Sequence, residues 1–131
     1  MQYRRRKVPL QCRTNPQQWN FLPSSSARVQ ILLADDFEPW RSKVRAFLKR
    51  EIQWKVFEAC DGLEAIRKTV ELHPDVVLLD IAMPGLNGIE AAKKIRKLSP
   101  DSSIIFLTID EDKDVMATAL RTGAVAYVSK K

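Results

Sequence analysis

The chain has 131 residues, of which 45% are hydrophobic and 29% charged, and its formal net charge is +6. This composition excludes wholesale disorder, and the absence of a run of 18 apolar residues excludes a transmembrane helix. The two cysteines, Cys12 and Cys60, lie too far apart in sequence for a metal-binding pair, and a disulfide scaffold is not expected. Two scattered thiols suit a reducing compartment, so we expect a cytoplasmic protein.

Positive charge is concentrated in residues 1–27. This segment holds five basic residues and no acid, whereas residues 28–131 hold the other 17 basic residues and all 16 acids. Prolines and three consecutive serines interrupt any periodicity, and the apolar stretch of a signal peptide is missing. We therefore expect a flexible basic leader over 1–27 and one folded domain over 28–131, whose balanced charge carries no signal for nucleic-acid binding.

From residue 29 onward, short apolar runs alternate with helical periodicities. Residues 38–50 place Trp40, Val44, Phe47 and Leu48 on one helical face. Residues 75–80 form an apolar run between two aspartates, typical of a strand covered on both faces. The pattern predicts, in chain order, strand 29–34, helix 38–50, strand 54–59, helix 61–73, strand 75–80, helix 89–98, strand 103–108, helix 112–121 and strand 125–128. Such alternation predicts an α/β fold with a doubly wound, five-stranded parallel sheet.

Polar side chains follow four of the five predicted strands. In a parallel sheet the carboxyl ends of the strands meet at one edge, where ligands bind. The residues expected at this edge are Asp35, Asp36, Asp80, Thr108, Ser129 and Lys130. Three neighbouring carboxylates repel one another unless a cation neutralises them, and Mg²⁺ is the divalent ion that best suits such oxygen ligands.

The same side chains could accept a transferred phosphoryl group and donate hydrogen bonds to it. A carboxylate can attack phosphorus and form an acyl phosphate. Asp80 is the best candidate because it ends the central strand and precedes the turn-rich residues 81–88, which leaves the two acids after the first strand as metal ligands. Lys130 and the hydroxyl of Thr108 would donate to the phosphoryl oxygens.

These residues, in this order, resemble the receiver domain of two-component response regulators. The resemblance covers 28–131 and rests on Asp35-Asp36, on Asp80 within Leu79-Asp80-Ile81-Ala82-Met83-Pro84-Gly85-Leu86-Asn87-Gly88, on Thr108, and on Tyr127-Val128-Ser129-Lys130. It implies a CheY-like, flavodoxin-like fold. The stretch from Met83 to Glu90 is most similar to regulators that carry a C-terminal LuxR-type helix-turn-helix.

The resemblance implies a role for each matching residue. Asp80 would accept the phosphoryl group from a phosphohistidine of a sensor histidine kinase. Asp36 would bind Mg²⁺ directly, Asp35 mainly through water, and the backbone carbonyl of Ala82 would be a further ligand. Lys130 would pair with the phosphoryl group. The chain would thus be a regulatory phosphoacceptor and not an enzyme, apart from its own phosphorylation and dephosphorylation.

A conformational switch is also implied. Thr108 would move toward the phosphate and Tyr127 would move inward, which changes the face formed by the fourth helix and the fifth strand. The output would be regulation of transcription, and DNA would be a partner only if an effector domain follows in the full gene. No membrane partner is expected.

Three departures from the family carry further expectations. Ala82, two residues after Asp80, offers no polar side chain to the site, which would alter the lifetime of the acyl phosphate. Ile109 stands where the family has a small residue, which would slow phosphotransfer. The chain also ends at Lys131 without the family's last helix or an effector domain, so the domain is expected to be truncated and one sheet face uncovered. The leader residues Trp19, Phe21 and Leu22, or a second chain in a homodimer or domain swap, would cover this face.

Two other functions remain open at this stage. A degenerate receiver would take no phosphate and serve only as an interaction module, an alternative that Ile109 favours and the full set of acids opposes. An aspartyl-phosphate phosphohydrolase would share the nucleophilic aspartate, but it would need a second acid where Ala82 stands.

Overall fold

Nine elements alternate along residues 28–109 and 112–130, which are the residues described by a computed structural model. In chain order they are β1 (Val29–Ala34), α1 (Glu38–Leu48), β2 (Trp54–Ala59), α2 (Gly62–Leu72), β3 (Val76–Asp80), α3 (Gly88–Leu98), β4 (Ser103–Thr108), α4 (Lys113–Arg121) and β5 (Ala126–Ser129). The predicted alternation is confirmed, and only the ends of elements differ. The predicted leader over 1–27 lies outside the described residues.

The five strands form one parallel sheet with the order β2-β1-β3-β4-β5. The predicted fold class is therefore confirmed. β1, β3, β4 and β5 are consecutive neighbours, which brings the four strands that precede polar residues side by side. The described residues contain four helices, as expected for this fold without its last helix.

The two faces of the sheet differ in how well they are covered. Because side chains alternate along a strand, each strand contributes to both faces. One face packs against α2, α3 and α4 in a core that includes Leu32, Val77, Leu79, Ile95, Ile104 and Phe106. The opposite face packs against α1, which contacts β1 and β2.

Side-chain caps explain where three of the four described helices, α2, α3 and α4, begin. The Asp61 carboxylate accepts a hydrogen bond from the Glu64 amide at 2.8 Å, and the Glu64 carboxylate accepts one from the Cys60 amide at 2.6 Å. Such reciprocal capping satisfies amides that have no partner inside the helix. At α3 and α4 only the cap side chain accepts: Asn87 from the Glu90 amide, and Asp112 from the amides of Asp114 and Val115. None of the described helices is long and apolar enough to cross a membrane.

One side chain of the predicted apolar stripe lies outside the core. Leu48 of α1 is buried, but Phe47 beside it is 64% exposed. The helical periodicity placed both on the inner face, and that prediction is wrong for Phe47. The reason is tertiary: α1 sits over β1 and β2, so its edge toward β4 and β5 has little to pack against.

Candidate functional site

The carboxyl ends of four adjacent strands bring the predicted polar residues to one edge of the sheet. Asp35 and Asp36 follow β1, Asp80 ends β3, Thr108 ends β4 and Lys130 follows β5. The register of the parallel pairs aligns these ends, since Asp80 is opposite Leu107 and Thr108 is opposite Ser129. The Lys130 amide donates to the Thr108 carbonyl at 2.8 Å, which extends this pairing to the lysine.

Three acidic side chains form a cluster at this edge. One carboxylate oxygen from each of Asp35, Asp36 and Asp80 lies within 4.8 Å of the other two. Asp35 and Asp80 are buried, whereas Asp36 is exposed. Convergent carboxylate oxygens with one solvent-facing member are the ligand type that a hard divalent cation takes, since such an ion keeps part of its water shell.

Lys130 balances part of this charge. Its ammonium lies 2.6 Å from Asp35 Oδ2 and 3.3 Å from Asp80 Oδ2, and its side chain is 10% exposed. Asp35 and Lys130 are 95 residues apart in sequence, so this contact exists only in the folded domain. A buried ammonium between two carboxylates can also donate hydrogen bonds to an anionic group that is attached to either of them.

The environment of Asp80 favours its protonated form. Burial of the carboxyl raises its pKa; Lys130 and the Ala82 amide lower it, the nearby Asp35 raises it, and the outcome is a pKa of about 6. The Ala82 amide donates to Asp80 Oδ1 at 3.2 Å. A cation bound among the three acids would offset this burial and favour the carboxylate, which is the nucleophilic form.

The connection after β3 is held close to Asp80. The amides of Met83 and Gly88 donate to the Ile81 carbonyl at 3.1 and 2.8 Å. A Cβ on Gly88 would lie 2.1 Å from the Asp80 carbonyl oxygen, so only glycine allows the start of α3 to approach β3 this closely. The loop of 81–88 therefore determines the backbone position of Asp80.

The acidic pair after β1 is anchored by a residue that sequence reasoning missed. Arg41 of α1 is buried; its Nη1 donates to the Asp35 carbonyl at 2.6 Å and its Nε donates to Glu58 at 2.9 Å. It also pairs with Glu38. The signal was present in the sequence, because Arg41 lies three residues before Val44 and seven before Leu48, on the inward face of a helix.

The remaining predicted residues lie near the cluster. Thr108 is buried and Tyr127, opposite Phe106, is half-buried. Ile109 follows Thr108 and is 63% exposed. The Lys130 ammonium lies 5.6 Å from the centre of the Trp40 ring, a contact that the sequence analysis did not anticipate. The roles of Thr108 and Tyr127 in a switch stay predictions, as does metal binding by the Ala82 carbonyl.

Known proteins match most of this chain. The family model of the response regulator receiver domain matches residues 31–131. The transcriptional regulatory protein LiaR of Bacillus subtilis is 42% identical over 103 residues, which are 78% of this chain and 49% of LiaR. The oxygen regulatory protein NreC of Staphylococcus epidermidis is 36% identical over 104 residues, 78% of this chain and 48% of NreC. The chain thus spans about half the length of these curated relatives.

Solved structures agree with the sequence matches. The response regulator domain of Thermotoga maritima CheB has a TM-score of 0.72 at 38% identity, with 78% of each chain covered. A LuxR-family two-component response regulator from Aurantimonas has a TM-score of 0.74 at 34% identity, with 78% of this chain and 74% of that chain covered. The expected CheY-like fold and the similarity to LuxR-type regulators are both confirmed.

Proposed function

Because the chain belongs to the response regulator receiver domain family, we propose that it accepts a phosphoryl group on Asp80 from a phosphohistidine of a sensor histidine kinase. The observation that carries this proposal is the meeting of three carboxylates and one ammonium at the carboxyl edge of the sheet. Asp80 is the acid best suited to accept the phosphoryl group, because each of its carboxylate oxygens has a partner that can donate a hydrogen bond. Lys130 lies 3.3 Å from one oxygen and the Ala82 amide 3.2 Å from the other.

Mg²⁺ fits the donor set at this edge. Asp36 would be the direct ligand, because both oxygens of Asp35 already accept hydrogen bonds, from the Phe37 amide at 2.9 Å and from Lys130 at 2.6 Å. Asp35 would then act mainly through water, and the Ala82 carbonyl would supply a further oxygen. The ion supplies positive charge that lowers the repulsion between the acids and the incoming phosphoryl group.

The transfer step requires a nucleophile, a leaving group and donors for the phosphoryl oxygens. An oxygen of the ionised Asp80 carboxyl attacks phosphorus, and the phosphorus–nitrogen bond of the phosphohistidine breaks. The electron pair returns to the imidazole nitrogen, which leaves Asp80 as an acyl phosphate. Lys130 is within reach of the new phosphoryl oxygens, and Thr108 stands at the end of the adjacent strand β4.

Phosphorylation would then bias a two-state element. The phosphoryl group adds roughly −1.5 to −2 charge units beside Asp35 and attracts hydrogen-bond donors. We propose that the Thr108 hydroxyl moves toward it and that Tyr127 fills the space this leaves, so that the face of α4 and β5 changes. Ile109, exposed beside Thr108, would slow entry of the phosphodonor.

We propose the process that this domain controls from the names of its relatives. Several are named transcriptional regulators, so transcription control through an effector domain is the proposed output, with DNA as a partner of that domain if the full gene encodes one. The protein-glutamate methylesterase of Thermotoga maritima is 39% identical over 104 residues, only 30% of that enzyme. We therefore propose a regulatory phosphoacceptor in the cytoplasm rather than an enzyme. The phosphohydrolase and the phosphate-free interaction module are not favoured by the family match.

Incubation with Mg²⁺ and a small phosphodonor, followed by intact-mass measurement, tests the proposal. The chain should gain one phosphoryl group, and peptide mapping should locate it at Asp80. Asp80→Asn should abolish the gain, whereas Asp114→Asn, at an exposed acid of α4, should leave it unchanged. Turnover of many equivalents of donor would favour a phosphohydrolase, and no modification of the folded chain would favour an interaction module.

A further inference from the structure

The aromatic ring of Trp40 lies beside the cation of the acidic cluster. The ammonium of Lys130 lies over this ring, 5.6 Å from its centre. The same ammonium lies 2.6 Å from Asp35 Oδ2 and 3.3 Å from Asp80 Oδ2. An ammonium at such a distance from the centre of an indole ring is attracted by the electrons of the ring face. Lys130 therefore has three attractive neighbours, which are two carboxylates and one uncharged ring.

The start of α1 places Trp40 at this position. Trp40 lies in the first turn of the helix, directly after Pro39, whose fixed φ suits a helix start. The next residue, Arg41, donates through Nη1 to the Asp35 carbonyl at 2.6 Å and through its amide to the Phe37 carbonyl at 3.0 Å. Because these hydrogen bonds connect the first turn of α1 to the end of β1, they hold the backbone of Trp40 next to the acidic cluster.

Burial strengthens the contact between the ammonium and the ring. The Lys130 side chain is only 10% exposed, and Trp40 is half-buried. Two other cations lie over aromatic rings, Arg50 over Phe47 and Lys55 over Phe57, but both of these cations are exposed. A cation that is largely removed from water gains more from an aromatic face than an exposed cation does. The pair of Trp40 and Lys130 is therefore the one in which the attraction matters most.

An aromatic ring attracts this ammonium without adding charge to the site. A lysine ammonium has three N–H donors, and the two carboxylates can accept two of them. A third carboxylate in the place of Trp40 would accept the last donor and would repel an incoming phosphoryl group. An indole ring carries no net charge, so it attracts the cation and leaves a donor for a phosphoryl oxygen.

We propose that Trp40 is a positioning residue, whose ring holds the Lys130 ammonium at the acidic cluster so that it can pair with a phosphoryl group on Asp80. This inference rests on the proposed function, and it adds to that function a residue of α1 that acts through Lys130. A flexible lysine side chain loses conformational freedom when it binds an anion, and a ring that restricts the side chain beforehand reduces this cost. Trp40 therefore raises the affinity of the site for a phosphoryl group.

Beryllofluoride, which mimics a phosphoryl group on a carboxylate, tests this effect when its binding to the intact chain is measured by calorimetry in the presence of Mg²⁺. Trp40→Leu keeps an apolar side chain without an aromatic face, and it should weaken binding about 5-fold to 30-fold. Trp40→Phe keeps a ring face and should weaken binding by no more than about 3-fold. Trp54→Leu, at the start of the edge strand β2, is the matched control and should bind as the wild type does. Equal losses in Trp40→Phe and Trp40→Leu would overturn the proposal.

Fluorinated tryptophan separates the electrons of the ring from its shape. In a Trp19→Phe and Trp54→Phe background, Trp40 is the single tryptophan, and it can be replaced by analogues that carry one, two or three ring fluorines. Each fluorine withdraws electron density from the ring face and changes its volume little, so the affinity for beryllofluoride should fall stepwise across the series. The same affinity for every analogue would show that packing alone holds Lys130, and the proposal would be wrong.

Proton NMR of the chain without any ligand distinguishes this inference from the proposed function. Protons that lie over an indole ring are shifted upfield, so the ε-methylene signals of Lys130 should lie upfield of those of Lys55, and this shift should disappear in Trp40→Leu. An unshifted Lys130 would overturn the inference even if beryllofluoride binds. If the shift is present but the wild type does not bind beryllofluoride with Mg²⁺, the proposed function is wrong, and the positioning role fails with it.

Discussion

The Asp80 carboxyl is buried between a like charge and an opposite one. Burial is the largest influence on it, and together with Asp35 it outweighs Lys130, so that the pKa of Asp80 reaches about 6. An ordinary aspartate in an unfolded chain has a pKa near 4, which means that the folded domain binds a proton more tightly than the unfolded chain. The Asp80 carboxyl therefore costs stability when it is ionised and no cation is bound.

The sign of the pH dependence follows from this shift. Because the pKa of Asp80 is raised in the folded state, the native state holds more protons between about pH 4 and pH 6, and stability falls as the pH rises through this range. Asp80→Asn removes the charge, so in metal-free buffer the variant should be more stable than the wild type by about 2 kcal/mol at pH 7.5. Urea unfolding at pH 7.5 and pH 4.5 measures both values.

Two controls accompany this experiment. The stability difference between Asp80→Asn and the wild type should be less than half as large at pH 4.5, and Mg²⁺ at pH 7.5 should stabilise the wild type more than the variant. Asp114→Asn, on an exposed part of α4, should show neither effect. A difference that is the same at both pH values would show that the ionised carboxyl is not what costs stability.

Arg41 stabilises the backbone of the acidic pair Asp35-Asp36 through a hydrogen bond. Its guanidinium joins the Asp35 carbonyl, at 2.6 Å, to Glu58 of β2, at 2.9 Å. Burial raises the pKa of Glu58, but hydrogen bonds from Arg45 and Arg41 outweigh this and hold the pKa below its ordinary value. The stability from this network is thus present at neutral pH and is lost as the pH falls through the folded-state pKa of Glu58.

Arg41→Met should destabilise the domain by about 2–4 kcal/mol, because it removes one member of a buried charge network and leaves the Asp35 carbonyl without its donor. Mg²⁺ affinity, followed by tryptophan fluorescence, should fall as well. Arg45→Met is the matched control: Arg45 also pairs with Glu58 but is one-third exposed, so its loss should cost less than about 1 kcal/mol. Equal losses of Mg²⁺ affinity in both variants would contradict a special role for Arg41.

At the scale of elements, the junction between β3 and α3 determines the position of Asp80 at the end of its strand. Gly88 begins α3 directly against the end of β3, and its amide bonds to the Ile81 carbonyl at 2.8 Å. A side chain at Gly88 would meet backbone atoms, which cannot rotate away. The junction between helix and strand therefore has no room for a side chain at position 88.

Gly88→Ala should cost about 3 kcal/mol of stability and weaken Mg²⁺ binding, because its Cβ would overlap the Asp80 carbonyl. Gly85→Ala is a matched change in the same loop. Its φ is +75°, but a Cβ there meets nothing within 4 Å, so only backbone strain of about 1 kcal/mol is expected. Urea unfolding and Mg²⁺ titration of both variants check this, and similar values for the two would show that the close contact at Gly88 is unimportant.

At the scale of the whole molecule, the site brings together residues that follow the first and the last strand of the domain's sequence. Asp35 follows the first strand and Lys130 the last, and their side chains meet at 2.6 Å. A ligand that binds this edge therefore stabilises the entire sheet. Mg²⁺ with beryllofluoride, at one hundred times the dissociation constant, should add about 2.7 kcal/mol and shift a single unfolding transition upward.

Asp80→Asn should remove the beryllofluoride part of this increase, because the acyl-phosphate mimic needs a carboxylate oxygen. Differential scanning calorimetry with and without the ligands measures the shift. An equal shift in the wild type and in Asp80→Asn would place the ligand elsewhere on the molecule.

The sequence by itself determined the order of the elements and the edge at which the acids gather. Apolar side chains recur every two residues in a strand and every 3.6 residues in a helix, and both patterns can be read from neighbouring residues along the chain. Parallel pairing of the strands then brings Asp35, Asp36, Asp80 and Lys130 to the same edge of the sheet. Arg41 could have been found in the same way, from its position on the inward face of α1.

Only the tertiary structure decided the distances between the side chains of the site and how deeply each of them is buried. Lys130 lies closer to Asp35 than to Asp80, and burial raises the pKa of Asp80, because both depend on atoms brought together from the two ends of the domain. Phe47 is exposed because α1 contacts β1 and β2, whereas Phe47 lies on the edge of the helix toward β4 and β5. No local pattern contains this information, since it arises from how the layers pack and not from the spacing of residues along one element.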